Sequence, residues 1–475
     1  MAAGERSGGG IVRGLGNLIG ARGVGIIFTL VQVKLATTYL GAEGYGVLSA
    51  ALVLIGTFEA FTELGIGTIV VRRVAGGADL RQTVGLAQAL SLCLSVVLIA
   101  AAIVVGWVGY REMGAFEGIL ILSAGLLGSA WAATYNAVAQ SRDDFKGVSW
   151  ADIAGRVVSL AIVAGAVFSR AGIEVFFVAQ LSAPLVRGVV AHLYGRRYGP
   201  FRPVFNVQGM KNLLVEALPL TYITVISGLY FTIDGVMLAQ LSTVVEVGAY
   251  NFAYRIAINV SVLGVALASV LVARYSVAAA DSQERYRRVL RMSMSLLLAI
   301  CLPIGLLLWP FNADIIRLLG SEEFVPLSSS PLLLLWFSVA ASILGTVVST
   351  ALVAGRAQRF LAVLNTCTLA LNIGLNFVFI PQWGAAGAAV ALVITEIVGL
   401  SIALVRLHYR CPGYWPWRDF FILVACVGVA VLVEHLTAGL LPWVLRGLLT
   451  AAVFFALAYL TRVVTPATLR ELSNG

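Results

Sequence analysis

The sequence predicts an all-α integral membrane protein of about 14 transmembrane helices. Sixty per cent of its 475 residues are hydrophobic, 12% are charged and the mean hydropathy is +0.95, values outside the range of soluble globular chains. Apolar runs near 20 residues, the length that crosses a hydrocarbon core, recur along the whole chain. The short connections between them alternate in Lys and Arg content, as the positive-inside rule requires of a multi-pass protein.

The candidate spans cover 16–40, 46–70, 83–108, 117–139, 149–169, 174–194, 214–240, 248–273, 290–310, 331–353, 361–380, 385–407, 419–438 and 441–461. The first follows Arg6 and Arg13, exceeds a signal-peptide h-region and shows no evident cleavage site, so it is expected to be retained. With the amino terminus in the cytoplasm, 25 of the 32 basic residues fall in cytoplasmic connections. These include Arg72 and Arg73 after span 2, the set from Arg187 to Lys211 around and beyond the end of span 6, and Arg274 to Arg291 after span 8. The rule thus puts both termini in the cytoplasm. Ser282 to Arg291 reads as an ordinary positive-inside connection, with a basic interfacial helix as the alternative.

No connection is large enough to house a soluble domain. The net charge of +9 forms no single basic stripe, so membrane orientation explains it better than nucleic-acid binding. The five cysteines stand singly and no CxxC spacing occurs, which indicates neither a disulfide framework nor a metal site. No nucleophile, metal or nucleotide motif appears, no cofactor is implied, and the chain reads as a non-enzyme.

A weak internal repeat links Tyr39-Leu-Gly-Ala-Glu-Gly-Tyr-Gly, between spans 1 and 2, with Val245-Glu-Val-Gly-Ala-Tyr-Asn, between spans 7 and 8. Ala139 to Phe145 and Ala354 to Phe360 repeat at a similar offset. Two six-span halves of like orientation follow, the parallel arrangement that places a substrate site between lobes. The expected divisions are 1–200 for the first lobe, 201–410 for the second, and 411–475 for spans 13 and 14.

Charges inside apolar runs are functional candidates. Asp234 near the end of span 7 and Arg255 near the start of span 8 lie at similar depth and can pair, as a structural contact or as a substrate site. Lys34 on span 1 reaches the same layer, and either snorkels or serves as a cavity cation. Glu59 and Glu63, spaced i,i+4 on span 2, join Glu396 on span 12 and Asp234 as ion-coupling candidates for H+ or Na+. Buried hydrogen bonding is the competing reading. Asp152 and Arg156 are expected to form a local ion pair. Trp131, Tyr135, Tyr230 and Tyr254 are candidates for stacking on sugar rings, while Tyr39 and Tyr250 read as interfacial belt residues. Pro184, Pro219 and Pro303 interrupt apolar spans and allow bends.

Leu40-Gly-Ala-Glu-Gly-Tyr-Gly, the stretch Asp234 to Arg255, and Asn372-Ile-Gly-Leu-Asn-Phe-Val-Phe-Ile-Pro-Gln-Trp-Gly-Ala-Ala-Gly-Ala-Ala together resemble the Wzx-type polysaccharide biosynthesis flippases. These belong to the multidrug/oligosaccharidyl-lipid/polysaccharide exporter superfamily, and the resemblance covers essentially the whole chain. It implies two six-helix lobes in a MATE-like V with two extra C-terminal helices. It also implies a polyprenyl-diphosphate-linked oligosaccharide cargo, moved from the inner to the outer leaflet of the bacterial cytoplasmic membrane; the chain itself is expected to be a monomer in contact with membrane lipids. Lys34, Arg255 and Arg22 are then the cavity cations, and Asn251 joins the four aromatics in contacting sugars. A multidrug antiporter of the same superfamily is the first alternative. A membrane-embedded polysaccharide ligase or glycosyltransferase is the second.

Overall fold

The structure is a computed structural model that describes residues 8–142, 146–199 and 201–464. It is helical, and no strand occurs among the described residues. Twelve helical segments are long and apolar enough to cross a membrane. Two of them, Gly25–Val74 (50 residues) and Gln358–Arg410 (53 residues), extend roughly 75–80 Å at 1.5 Å per residue, over twice the hydrocarbon thickness. Each therefore supplies two crossings, which brings the bundle to the fourteen expected from the sequence.

Both double crossings turn at one glycine. Gly41 has φ 67° and ψ −173°, and Gly384 has φ 54° and ψ −127°. Left-handed backbone of this kind suits glycine because a Cβ would clash with the adjoining carbonyl. A glutamate from another element caps each corner. Glu323 Oε2 accepts from the Ala42 N–H at 3.1 Å, and Glu246 Oε2 accepts from the Ala385 N–H at 2.7 Å. A carboxylate at a helix N-terminus satisfies an orphan donor and complements the dipole.

Several other helices start on short polar side chains that cap them, as the preference for such residues at helix N-termini predicts. Asp79 accepts from Arg81 N at 2.8 Å, Asn206 from Gly209 N at 2.9 Å and Ser282 from Arg285 N at 3.2 Å. The last cap corrects the expectation of a loop after span 8. Val244–Asp281 and Gln283–Leu307 meet at Ser282 with almost no loop between them, and Arg285 pairs with Asp281 at 3.1 Å.

A large apolar core joins residues of both halves, from Val33 and Tyr45 to Leu335 and Leu407. A second core, around Ile69, Val84, Tyr135 and Leu213, lies toward the Arg72 end of the bundle. Trp417–Thr437 and Trp443–Leu460 pack on Gln283–Leu307 through Leu298, Leu423, Cys426 and Phe454. Arg446 fixes that pair internally, facing Glu434 at 3.4 Å and lying over the Phe311 ring.

The repeated glycine motifs pack against each other. A Cβ on Gly46 would sit 2.0 Å from the Val244 carbonyl oxygen, and one on Gly248 would sit 2.8 Å from that of Ala42. The short repeat legible in the sequence is thus the seam where the halves meet at the Gly41 end. Tyr45, Phe252 and Phe324 close it with ring-to-ring contacts at 4.9–6.5 Å. At the opposite end, Glu216 accepts from Arg73 Nε at 2.8 Å and also pairs with Arg72, tying span 2 to the start of the helix Val207–Leu241.

Candidate functional site

Between these two ends lies a cavity of about 360 Å³, lined by the first half of the chain plus Arg255. Spans 1 and 2 contribute Thr29, Gln32 and Glu59, and spans 4 to 6 contribute Ser129, Asp152, Arg156, Ser159, Gln180 and Arg187. Glycines let the helices approach here. A Cβ on Gly128 would lie 2.6 Å from the Pro184 carbonyl, and one on Gly155 would lie 2.6 Å from that of Ala183.

Three arginines face the cavity. Arg156 donates from Nε to Asp152 at 2.9 Å, and from a terminal nitrogen to Thr29 Oγ1 at 2.8 Å and the Gly25 carbonyl at 3.2 Å. The Asp152–Arg156 pair is the local contact its spacing predicts, but it lines a cavity rather than lying passive. Arg187 donates to Glu59 Oε1 at 3.0 Å and to Ser129 Oγ at 2.9 Å, while Ser129 donates to the same carboxylate oxygen at 2.5 Å. Arg255 carries no ion pair within 4.0 Å among the described residues. Three guanidinium groups against two carboxylates leave the wall with one excess positive charge.

Arg187 is a correction. Its position near a run of arginines suggested a cytoplasmic connection, yet it lies within the helix Ile173–Gly195 and meets Glu59. Counting charge by loop cannot recognise a basic residue about two turns inside a span. Of the two span 2 acids, Glu59 is the one that meets it.

Asp234 and Arg255 do not pair, contrary to the sequence reading. Asp234 is 4% exposed and accepts from Tyr250 at 3.0 Å and from Asn376 Nδ2 at 2.7 Å. Neutral donors from its own half hold it away from the cavity. Asn376 Nδ2 also reaches Asn372 Oδ1 at 3.0 Å. Among the described residues, Asn372 Nδ2 and Asn376 Oδ1 are buried without hydrogen-bond partners. Tyr230 donates to Glu396 Oε1 at 3.0 Å, and Tyr254 stacks on Tyr250. These residues form a second polar cluster, separate from the arginine cavity. Asn372 and Asn376 were missed as site residues, although an Asn pair at i,i+4 inside an apolar span was the available signal.

Lys34 also departs from its expected place in the cavity. Its Nζ donates to the Arg317 carbonyl at 2.9 Å and to that of Gly320, where the helix Asn312–Leu319 ends. The negative end of the helix dipole attracts a cation there, so Lys34 helps seal the Gly41 end.

Trp131 and Tyr135 are likewise drawn away from the cavity, into an aromatic cluster with His192 and Phe201. The Tyr135 hydroxyl and His192 Nδ1 lie 2.6 Å apart. Asn251 is buried and donates to the Val247 carbonyl at 2.9 Å, which uses the amide inside its own helix. Tyr39 donates to the Ala171 carbonyl at 2.9 Å and stacks on Phe176. The side chains of Arg22 and Glu63 lie outside what the structure describes. Among the described residues no group of three or more His, Cys, Asp or Glu is placed to hold a metal.

A multi-pass helical bundle with a polar cavity in its first half, and a glycine seam packed at one end, defines the chain as an integral membrane protein. More particularly, it belongs to the polysaccharide biosynthesis protein family, whose model matches residues 11–276. The MatE family model matches residues 219–378. Among solved structures it is similar to lipid II flippase MurJ in an inward closed conformation, with TM-score 0.78 and 15% identity over 94% of this chain and 99% of that one. An inward-facing multidrug resistance MATE transporter of the MOP superfamily gives TM-score 0.63 at 16% identity, covering 80% and 94%. A MOP superfamily transporter from Pyrococcus furiosus, described as having a binding pocket of reverse polarity, gives 0.56 at 17%, covering 83% and 94%. A search of curated proteins returns no match.

Proposed function

We propose that the protein is a flippase that moves a polyprenyl-diphosphate-linked oligosaccharide across the bacterial cytoplasmic membrane, from the inner to the outer leaflet, by alternating access. The observation that carries this reading is the cavity wall of Arg156, Arg187 and Arg255, with its excess positive charge. A cationic cavity suits a diphosphate, and Gln32, Gln180, Ser129 and Ser159 offer amide and hydroxyl groups to sugars. A cationic drug would favour the opposite polarity, which argues against the multidrug antiporter reading.

In this reading the Gly41 end faces outward and both termini face the cytoplasm. The chain works as a monomer, with 1–200 and 201–410 as rocking lobes and 411–475 as an attached helix pair. Opening the outer end separates the Gly46–Gly248 seam and withdraws Lys34 and Glu323. A charge crossing the membrane is worth about 2.3 kcal/mol per 100 mV, so two phosphate charges leaving a negative interior gain roughly 4–5 kcal/mol. Asp234 with Asn372 and Asn376, or Glu396 with Tyr230, adds H+ or Na+ coupling from the second cluster.

Depletion of the protein in cells, followed by lipid extraction, tests the cargo. Accumulation of a lipid-linked saccharide on the cytoplasmic side is the expected result. No accumulation, together with new sensitivity to cationic drugs, replaces this reading with the antiporter.

A further inference from the structure

Two of the three cavity arginines are already engaged. Arg187 meets Glu59 and Arg156 meets Asp152, yet all four side chains stay between 32% and 46% exposed. Ion pairs with this much access to solvent are weak and readily exchanged. Among the described residues Arg255 has no such partner, and the Nε of Arg187 is buried without one. The wall therefore offers an incoming anion one free guanidinium and two that are lightly held.

We propose that Glu59 and Asp152 are built-in competitors for the cargo's phosphates. They hold Arg187 and Arg156 until an anion captured by Arg255 displaces them, and they reclaim the arginines to drive it off again. This deepens the flippase function proposed above and rests on its diphosphate cargo. Three unopposed arginines would bind a diphosphate tightly and release it slowly, because desolvated charge-assisted pairs are strong. A carboxylate beside two of them lowers affinity and makes release an exchange of partners rather than a loss of partners. Ser129 completes the device by donating to Glu59 at 2.5 Å, so the carboxylate keeps one hydrogen bond while its arginine is engaged elsewhere. Glu59 and Asp152 thus set residence time as positioning residues for the arginines.

The test uses the full-length protein in detergent and farnesyl diphosphate as the probe, with affinity read by titration calorimetry. Glu59→Gln removes the competing charge while keeping an acceptor for Ser129. It is expected to bind up to about fivefold more tightly than the wild type, the worth of one partly exposed ion pair. The gain must vanish when Arg187→Gln is combined with it, because exchange acts through that arginine. A gain that persists without Arg187 reflects only the general field of the cavity and overturns the proposal. So does a Glu59→Gln protein that binds no better than the wild type. Asp152→Asn, alone and with Arg156→Gln, repeats the test on the second pair if Glu59→Gln fails to fold. Failure of both the wild type and Glu59→Gln to bind the probe overturns the diphosphate reading itself, and the exchange falls with it. An unchanged affinity in a protein that does bind the probe removes the exchange alone.

Discussion

Gly46 offers a direct way to push the bundle from one state toward the other. A Cβ at this position would lie 2.0 Å from the Val244 carbonyl oxygen and 2.8 Å from the carbonyl carbon. Both are backbone atoms, so no side chain can swing aside. Ordinary contact begins near 3.4 Å, so Gly46→Ala forces the two backbones apart by about 1.4 Å at the closed seam. Overpacking of this kind costs about 1–3 kcal/mol. The cost falls on the state in which the seam is shut, which converts it into a population shift of about 5- to 150-fold toward opening at the Gly41 end. The assay places a cysteine at Ser159, in the cavity wall, in a background with the native cysteines replaced. The rate of modification by a membrane-impermeant maleimide is then measured from the Gly41 side. Gly46→Ala should raise that rate at least fivefold. Gly374→Ala, where an added Cβ meets nothing within 4 Å, should leave it unchanged. An unaltered rate in a Gly46→Ala protein of wild-type thermal stability would refute the seam as a gate.

The two corner glutamates should separate by location. Glu323→Ala removes a cap that spans the seam, so labelling from the Gly41 side rises severalfold, at a cap cost of about 1 kcal/mol. Glu246→Ala removes a cap within the second half, so Tm falls by a few degrees without a change in labelling. Arg255→Ala should cut lipid-linked saccharide export at least tenfold at equal membrane levels, since it deletes the free cavity cation; unchanged export in a complementation assay would exclude that role. Asp234→Asn keeps the shape of its site but replaces the charge held by Tyr250 and Asn376. Transport into vesicles should lose its dependence on an imposed ion gradient while cargo affinity is preserved, and retained dependence would move coupling to Glu396.

The span count and turn positions were legible because they depend on local quantities: run length, hydropathy and the alternation of basic residues. Gly41 and Gly384 lie where the pattern broke, and the Leu40 to Gly46 motif proved to be the packing seam itself. The partners of buried charges were not legible, because they depend on which helix faces which. Asp234 and Arg255 share a depth, yet they point into different compartments, so depth alone suggested a pair that rotation about the helix axes forbids. Lys34 failed in the same way, since the carbonyls that hold it belong to a turn nearly three hundred residues downstream. Arg187 was misjudged for the opposite reason, because neighbouring loop arginines masked a residue that belongs to the wall.

The corner caps also bear on how the chain is assembled. Ala42 waits for a carboxylate 281 residues further along, and Glu246 precedes its partner Ala385 by 139. At a synthesis rate of about 5–20 residues per second, the first hairpin enters the bilayer roughly 15–60 s before Glu323 is made. During that interval the start of span 2 must be satisfied by water, lipid headgroups or the insertion machinery. The first corner is therefore completed only once the tenth span begins, which makes its closure a late step of assembly.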